Sequence, residues 1–137
     1  TEHLRQRYGA DVNTQQLFDR RRPGGRVLTL DGYPHRGQPI VLTEFGGIAF
    51  DKSPQSGGPK TWGYSVAEAE DEFATKFYDL LDTVTNTALF SGYCYTQFAD
   101  TFQEANGLLC ADRTPKIPLS AIAKATTISR TYIPGGV

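Results

Sequence analysis

The chain has 137 residues, enough for one ordinary domain, and its 14 basic and 15 acidic side chains leave a net charge of −1. That balance excludes a general nucleic-acid or membrane-surface binder, which needs a concentrated basic face. No run approaches the ~20 apolar residues of a membrane span, and the opening residues do not read as a signal peptide, which leaves room for one upstream. A chain that opens on Thr1 and holds no methionine reads as a processed product or a piece of something longer. Cys94 and Cys110 are too far apart for a CxxC pair and have no histidine cluster beside them, so no metal and no redox motif is implied.

The first segment, EHLRQRYG, has Leu4 and Tyr8 four residues apart before Gly9, which predicts a short helix with a glycine cap. Residues 10–38 lose periodicity and are rich in turn formers. They predict a long connection, with one short extended piece at Arg26–Leu30 and a solvated Arg20, Arg21, Arg22 run. Pro39 to Phe45 is the first convincing strand: Ile40, Val41 and Leu42 follow one another without alternation, the pattern of a strand covered on both faces. Glu44 stands near its end, where an uncompensated charge is expensive.

A glycine- and proline-rich loop with Trp62 and Tyr64 comes next, and loops of this length are functional or disordered. Ser65 and Glu68 form a capping-box pattern, after which Val66, Ala69, Phe73, Phe77, Leu80, Leu81 and Val84 recur at three and four residues. A helix from about Ser65 to about Thr85 follows. Leu89–Phe98 predicts a second strand, and Pro118 opens a short final helix at Leu119–Thr126 with Leu119, Ile122 and Ala123 on its inner face. Strands alternating with helices give an α/β class with a parallel sheet. Two parallel strands do not complete such a domain, so the chain is expected to be a section of a larger fold such as an eight-stranded barrel.

In such folds the loops after the strands hold the chemistry. Glu44 ends one strand; Tyr95, Thr96 and Gln97 end the other; Trp62, Tyr64, Asp100, Gln103, Glu104 and Asn106 lie in the loops on the same edge. Aromatic rings, amides and carboxylates together are what a sugar needs, the rings for C–H faces and the polar groups for hydroxyls. The plain alternative is that Glu44 pairs with an arginine such as Arg113 and Trp62 plugs a loop.

The segments LTEFGGIAF, WGYS and SGYCYTQFADTFQEANGLLCADRTPK, at these separations, resemble the closing part of the catalytic barrel of family 2 glycoside hydrolases, the group of β-galactosidases, β-glucuronidases and β-mannosidases. The resemblance runs from Pro39 to about Thr126, and EHLRQRYG fits the helix before the seventh strand. It implies a (β/α)8 TIM barrel, of which residues 1–126 are the C-terminal portion with about strands 7 and 8 and their helices, and 127–137 a tail leaving the barrel. It implies a retaining hydrolase of β-glycosides with Glu44 as catalytic nucleophile, and Trp62, Tyr64, Tyr95, Thr96, Gln97, Asp100 and Asn106 binding a carbohydrate substrate. No cofactor is implied, and the partners are the sugar and either the rest of the barrel or further copies of the chain.

Two departures stand out. Many members carry a tryptophan four residues after the glycine that matches Gly92, where this chain has Thr96. The family's acid/base glutamate lies in an Asn-Glu pair near the end of the fourth strand, and these residues contain no Asn-Glu pair. Glu68, Glu70 and Glu72 read as dipole-complementing residues of a helix start, and Asp100 or Glu104 as hydroxyl binders or partners of Arg113. The chain alone is therefore expected to be inactive. The other readings are a carbohydrate-binding relative that does no chemistry, and a barrel fragment that self-associates through its unpaired edges.

Overall fold

The structure, a computed structural model, describes Glu2, Gln6, Leu17, Phe18 and residues 27–52, 63–101 and 104–131. Trp62, Gln103 and the arginine run at 20–22 lie outside the described residues, as does most of the expected N-terminal helix. Of that helix Glu2 and Gln6 are seen, both helical, with Gln6 Nε2 donating to Glu2 Oε1 at 3.0 Å.

The first described strand is β1, Val41–Gly46, followed by the short β2, Ile48–Ala49, and β3, Ser65–Val66. Helix α1 runs Glu70–Thr85, strand β4 Gly92–Thr96 and helix α2 Leu119–Thr126. Both strand pairs are parallel: β1 lies against β4 and β2 against β3. Residues 27–30 are not a strand, and the backbone there turns instead, Tyr33 N–H donating to the Leu30 carbonyl at 3.0 Å.

The helix start differs from its sequence signal. Ser65 belongs to β3, and α1 begins five residues later, after an extended Ala69 whose side chain offers no cap. The job falls to Glu72. Its carboxylate accepts the Glu68 backbone N–H at 2.8 Å and pairs with Lys76 at 2.6 Å, while Lys76 Nζ donates to the Val66 carbonyl at 2.6 Å. That side-chain bond from Lys76 holds the Glu72 carboxyl below the usual range. A Ser-x-x-Glu pattern is thus overridden because the β2–β3 ladder claims Ser65 first.

The apolar stripe of α1 is buried as its spacing requires: Phe73, Phe77, Leu81 and Val84 have essentially no exposed surface. Rings continue the stripe towards the sheet. Phe50 stacks on Phe73 with centroids 5.5 Å apart, the Tyr95 ring meets Phe77 edge-on at 5.0 Å, and Phe45 meets Tyr95 edge-on at 5.6 Å. These offset and edge-to-face pairs are the favourable arrangements of the ring quadrupole. They connect the helix core to the strand that carries Glu44. Helix α2 closes the cluster with Ala125, helped by Ala121 and Ile122, whereas Leu119, at 64% exposure, and Ala123 face outward, contrary to the inner face expected for them. Past α2, the described residues 128–131 lie against the core and the end of α1. Ile128 packs on the core, Arg130 donates to the Phe90 carbonyl, and Thr131 N–H and Oγ1 donate to Asn86 Oδ1 at 3.0 and 2.8 Å.

Replacing Phe73 by alanine removes a ring with 0% exposure from the centre of this cluster. Chemical denaturation is expected to show a loss of about 3–5 kcal/mol, against less than about 0.5 kcal/mol for an exposed surface change such as Leu30→Ala.

Candidate active site

The pairing of β1 with β4 is irregular at one place, and Glu44 lies in it. Leu42 stands opposite Tyr93 and Phe45 opposite Tyr95, so three steps on β1 match two on β4, and β1 holds one extra residue between them. Such a bulge breaks the alternation of a strand and re-aims the side chain within it. Here it leaves two consecutive residues, Thr43 and Glu44, on the exposed side, while Phe45 still packs inward against Tyr93 and Tyr95. Among the described residues, β1 is not a strand covered on both faces: Val41 is 50% exposed and Glu44 is open to solvent. No basic group pairs with Glu44 among the described residues, and Arg113 lies instead with its guanidinium 5.7 Å from the Phe98 ring centre.

Two glycines then turn the chain out of the strand, each for a physical reason. Gly46 has φ +135°, and a Cβ there would sit 2.2 Å from the Thr96 carbonyl oxygen of β4. Gly47 has φ +77°, and a Cβ would press into the Tyr64 ring at 2.7 Å. Only a residue without a side chain lets the two strand ends and the Tyr64 ring meet beside Glu44. Gly47 N–H closes the corner by donating to the Thr96 carbonyl at 3.3 Å.

The result is a cleft of about 380 Å³ lined by Glu44, Phe45, Gly46, Gly47, Tyr64, Thr96, Glu104 and Asn106. Glu44, Tyr64, Thr96 and Asn106 come together there as the sequence leads one to expect. Tyr64 offers an 84% exposed ring. Asn106 is 4% exposed, and its side-chain oxygen is screened from solvent without a hydrogen-bond partner. A buried acceptor left unpaired costs about 1–3 kcal/mol.

Three other expected binders are used for construction. Tyr95 does not line the cleft; its ring fills the space between Phe45 and Phe77, and burial pushes its phenol up from the ordinary tyrosine range. Gln97 holds the opposite wall, its Nε2 donating to the Glu104 carbonyl at 3.3 Å and its carbonyl accepting the Leu108 N–H at 3.2 Å. Asp100 Oδ1 accepts the Gly107 N–H at 2.8 Å and pairs with Lys116 at 2.7 Å.

Lys116, within the ADRTPK segment, is wholly buried and was not foreseen. Its ammonium reaches Asp100, donates to the Ala105 carbonyl at 2.7 Å and stands 5.9 Å above the Phe73 ring. The Phe50 N–H takes the same Ala105 carbonyl at 2.8 Å. Ala105, between Glu104 and Asn106, is therefore clamped from two sides. Glu104 itself, which ends a tight turn with mutual 3.2 Å bonds to Thr101, is the second carboxylate of the cleft. Its loop position on the right edge is the one signal for it in the sequence.

No family profile matches the chain, and no curated protein sequence matches it. Among solved structures, a Bifidobacterium dentium β-glucuronidase complexed with coumarin-3-O-glucuronide is similar to part of it. Identity is 22% and the TM-score 0.44, over 67% of this chain and 15% of that one. The chain thus spans about 15% of the length of that β-glucuronidase.

Replacing Lys116 by methionine strands the Asp100 carboxylate and is expected to cost about 3–5 kcal/mol. Adding Asp100→Asn should return at least about 1 kcal/mol, because the orphaned charge is then gone. Urea unfolding of the two single variants and the double variant checks this, and simple additivity would contradict the pairing.

Proposed function

We propose that this chain is the nucleophile-bearing part of a retaining β-glycoside hydrolase, the closing strands of a (β/α)8 barrel with Glu44 as nucleophile. The observation that carries the reading is the bulge: it turns one strand-end carboxylate out of a hydrophobic strand and into a cleft beside an exposed aromatic ring. A side chain serving only the fold has no need of that arrangement. The LTEFGG resemblance supports the same residue.

In the proposed reaction a sugar lies in the cleft with an apolar face on Tyr64. Glu44 attacks the anomeric carbon as the bond to the leaving oxygen breaks, giving a glycosyl ester; water then attacks the same carbon and releases the carboxylate. An acid must protonate the leaving oxygen and later take a proton from the water. We assign that task to a carboxylate outside these residues, supplied by the remainder of the barrel, whose strands would pair along the side of β1 away from β4. Catalysis in a form containing the whole barrel is the natural test. Without the acid the same cleft could bind sugar and do no chemistry, which its uncommitted acceptors also support.

Glu44→Gln keeps the shape and removes the nucleophile, so kcat/KM for aryl β-glycosides is expected to fall by at least about 10³-fold. In Glu44→Ala, added azide should restore turnover and give a glycosyl azide of inverted configuration. Full activity in Glu44→Gln would remove Glu44 from the reaction.

A further inference from the structure

The described lining of the cleft has a marked chemical bias. Glu44 and Glu104 are carboxylates, Asn106 presents a buried amide oxygen with no donor, and no lysine or arginine lines the cleft among the described residues. The nearby cations are committed elsewhere. Lys116 is sealed against Asp100 and the Ala105 carbonyl, Lys52 against Glu70 and the Pro115 and Lys116 carbonyls, and Arg113 lies over Phe98. The hydroxyls of Tyr64 and Thr96 and the Asn106 amide supply neutral donors, and the charge of the described lining is negative.

From this we infer that the cleft takes the ring of a neutral, hydroxyl-rich sugar and rejects a uronate. The inference rests on the glycosidase reading for the placing of the ring. Each hydroxyl brings a donor. One pressed against Asn106 supplies what its oxygen lacks, and another meets Glu104 as a charge-assisted bond. A uronate brings a fixed negative charge into a space of about 380 Å³ that holds two carboxylates, with no cation in the described lining to receive it. A third carboxylate in that space meets the repulsion of both, weakened where the cleft opens to solvent. Rejection thus comes from Glu104 acting with Glu44, and attraction from Asn106 and Glu104.

Glu104 is free to serve in this way because the fold uses its backbone and not its carboxylate. Its N–H and carbonyl are taken by Thr101 and Gln97, and its side chain stands on the cleft wall. Asn106 is positioned differently. Its neighbours Ala105 and Gly107 are tied down by Lys116, Phe50 and Asp100, so the amide cannot easily swing away to find another donor. An acceptor fixed without a partner in the free protein strengthens binding when a ligand satisfies it.

The test is calorimetric titration of the full-length protein with the methyl β-glycosides of galactose, mannose, glucose and glucuronic acid, alongside turnover of the matching aryl glycosides. At least one neutral glycoside is expected to bind about tenfold or more tightly than the glucuronide. Glu104→Gln should narrow that ratio about tenfold by admitting the glucuronide, and Asn106→Ala should weaken the neutral sugar about tenfold without helping the glucuronide. A glucuronide that binds as tightly as every neutral sugar, a ratio unmoved in Glu104→Gln, or no binding of any of the four would overturn the inference. Turnover separates this from the proposed function. Neutral sugars bound but never hydrolysed would leave the specificity standing and remove the glycosidase; a glucuronide bound and hydrolysed best would do the reverse.

Discussion

The buried ammonium of Lys116 joins the two halves of the structure. Below it is the Phe73 ring of the α1 core; beside it is Asp100; above it is the carbonyl of Ala105, whose neighbours Glu104 and Asn106 form one wall of the cleft. A buried lysine is costly unless every proton finds an acceptor, and here a carboxylate, a carbonyl and a ring face share the task. The cleft wall is consequently set by the same group that seals the core. The other wall is set by close approach at two glycines, where Gly46 and Gly47 let β1 close on the Thr96 carbonyl and the Tyr64 ring.

What could be read from the sequence followed periodicity. The stripe of Phe73, Phe77, Leu81 and Val84 announces α1 because burial on one face requires that spacing, and α2 is found at Leu119–Thr126 as expected. The start of α1 was less legible: Ser65 had two possible partners, and the parallel ladder with Ile48 took it. The strand at Glu44 was recognisable, but its burial was not. A bulge is a disagreement in register between two strands, so it cannot be seen in either strand alone.

Loop chemistry was the hardest to read. Asp100, Gln97 and Glu104 are all polar residues after a strand, and nothing local tells which of them builds the wall and which faces the cleft. That division depends on Lys116, a basic residue in a polar stretch that reads as solvated until Phe73 and Ile117 are seen to enclose its surroundings. Asn106 was expected at the site from its place on the strand-end edge. Its value there comes from an unpaired oxygen that only the packed structure can produce.

In the proposed reading, a strand bent to display one carboxylate beside an exposed ring holds a sugar with its anomeric carbon towards Glu44. The most direct test is covalent capture. The full-length protein is incubated with 2-deoxy-2-fluoro β-glycosides of galactose, mannose, glucose and glucuronic acid, digested, and its peptides weighed by mass spectrometry. The account predicts a fluoroglycosyl ester on the peptide spanning residues 39–50, mapped to Glu44. An ester on a different carboxylate, or none with any of these sugars in a protein that hydrolyses β-glycosides, would contradict it.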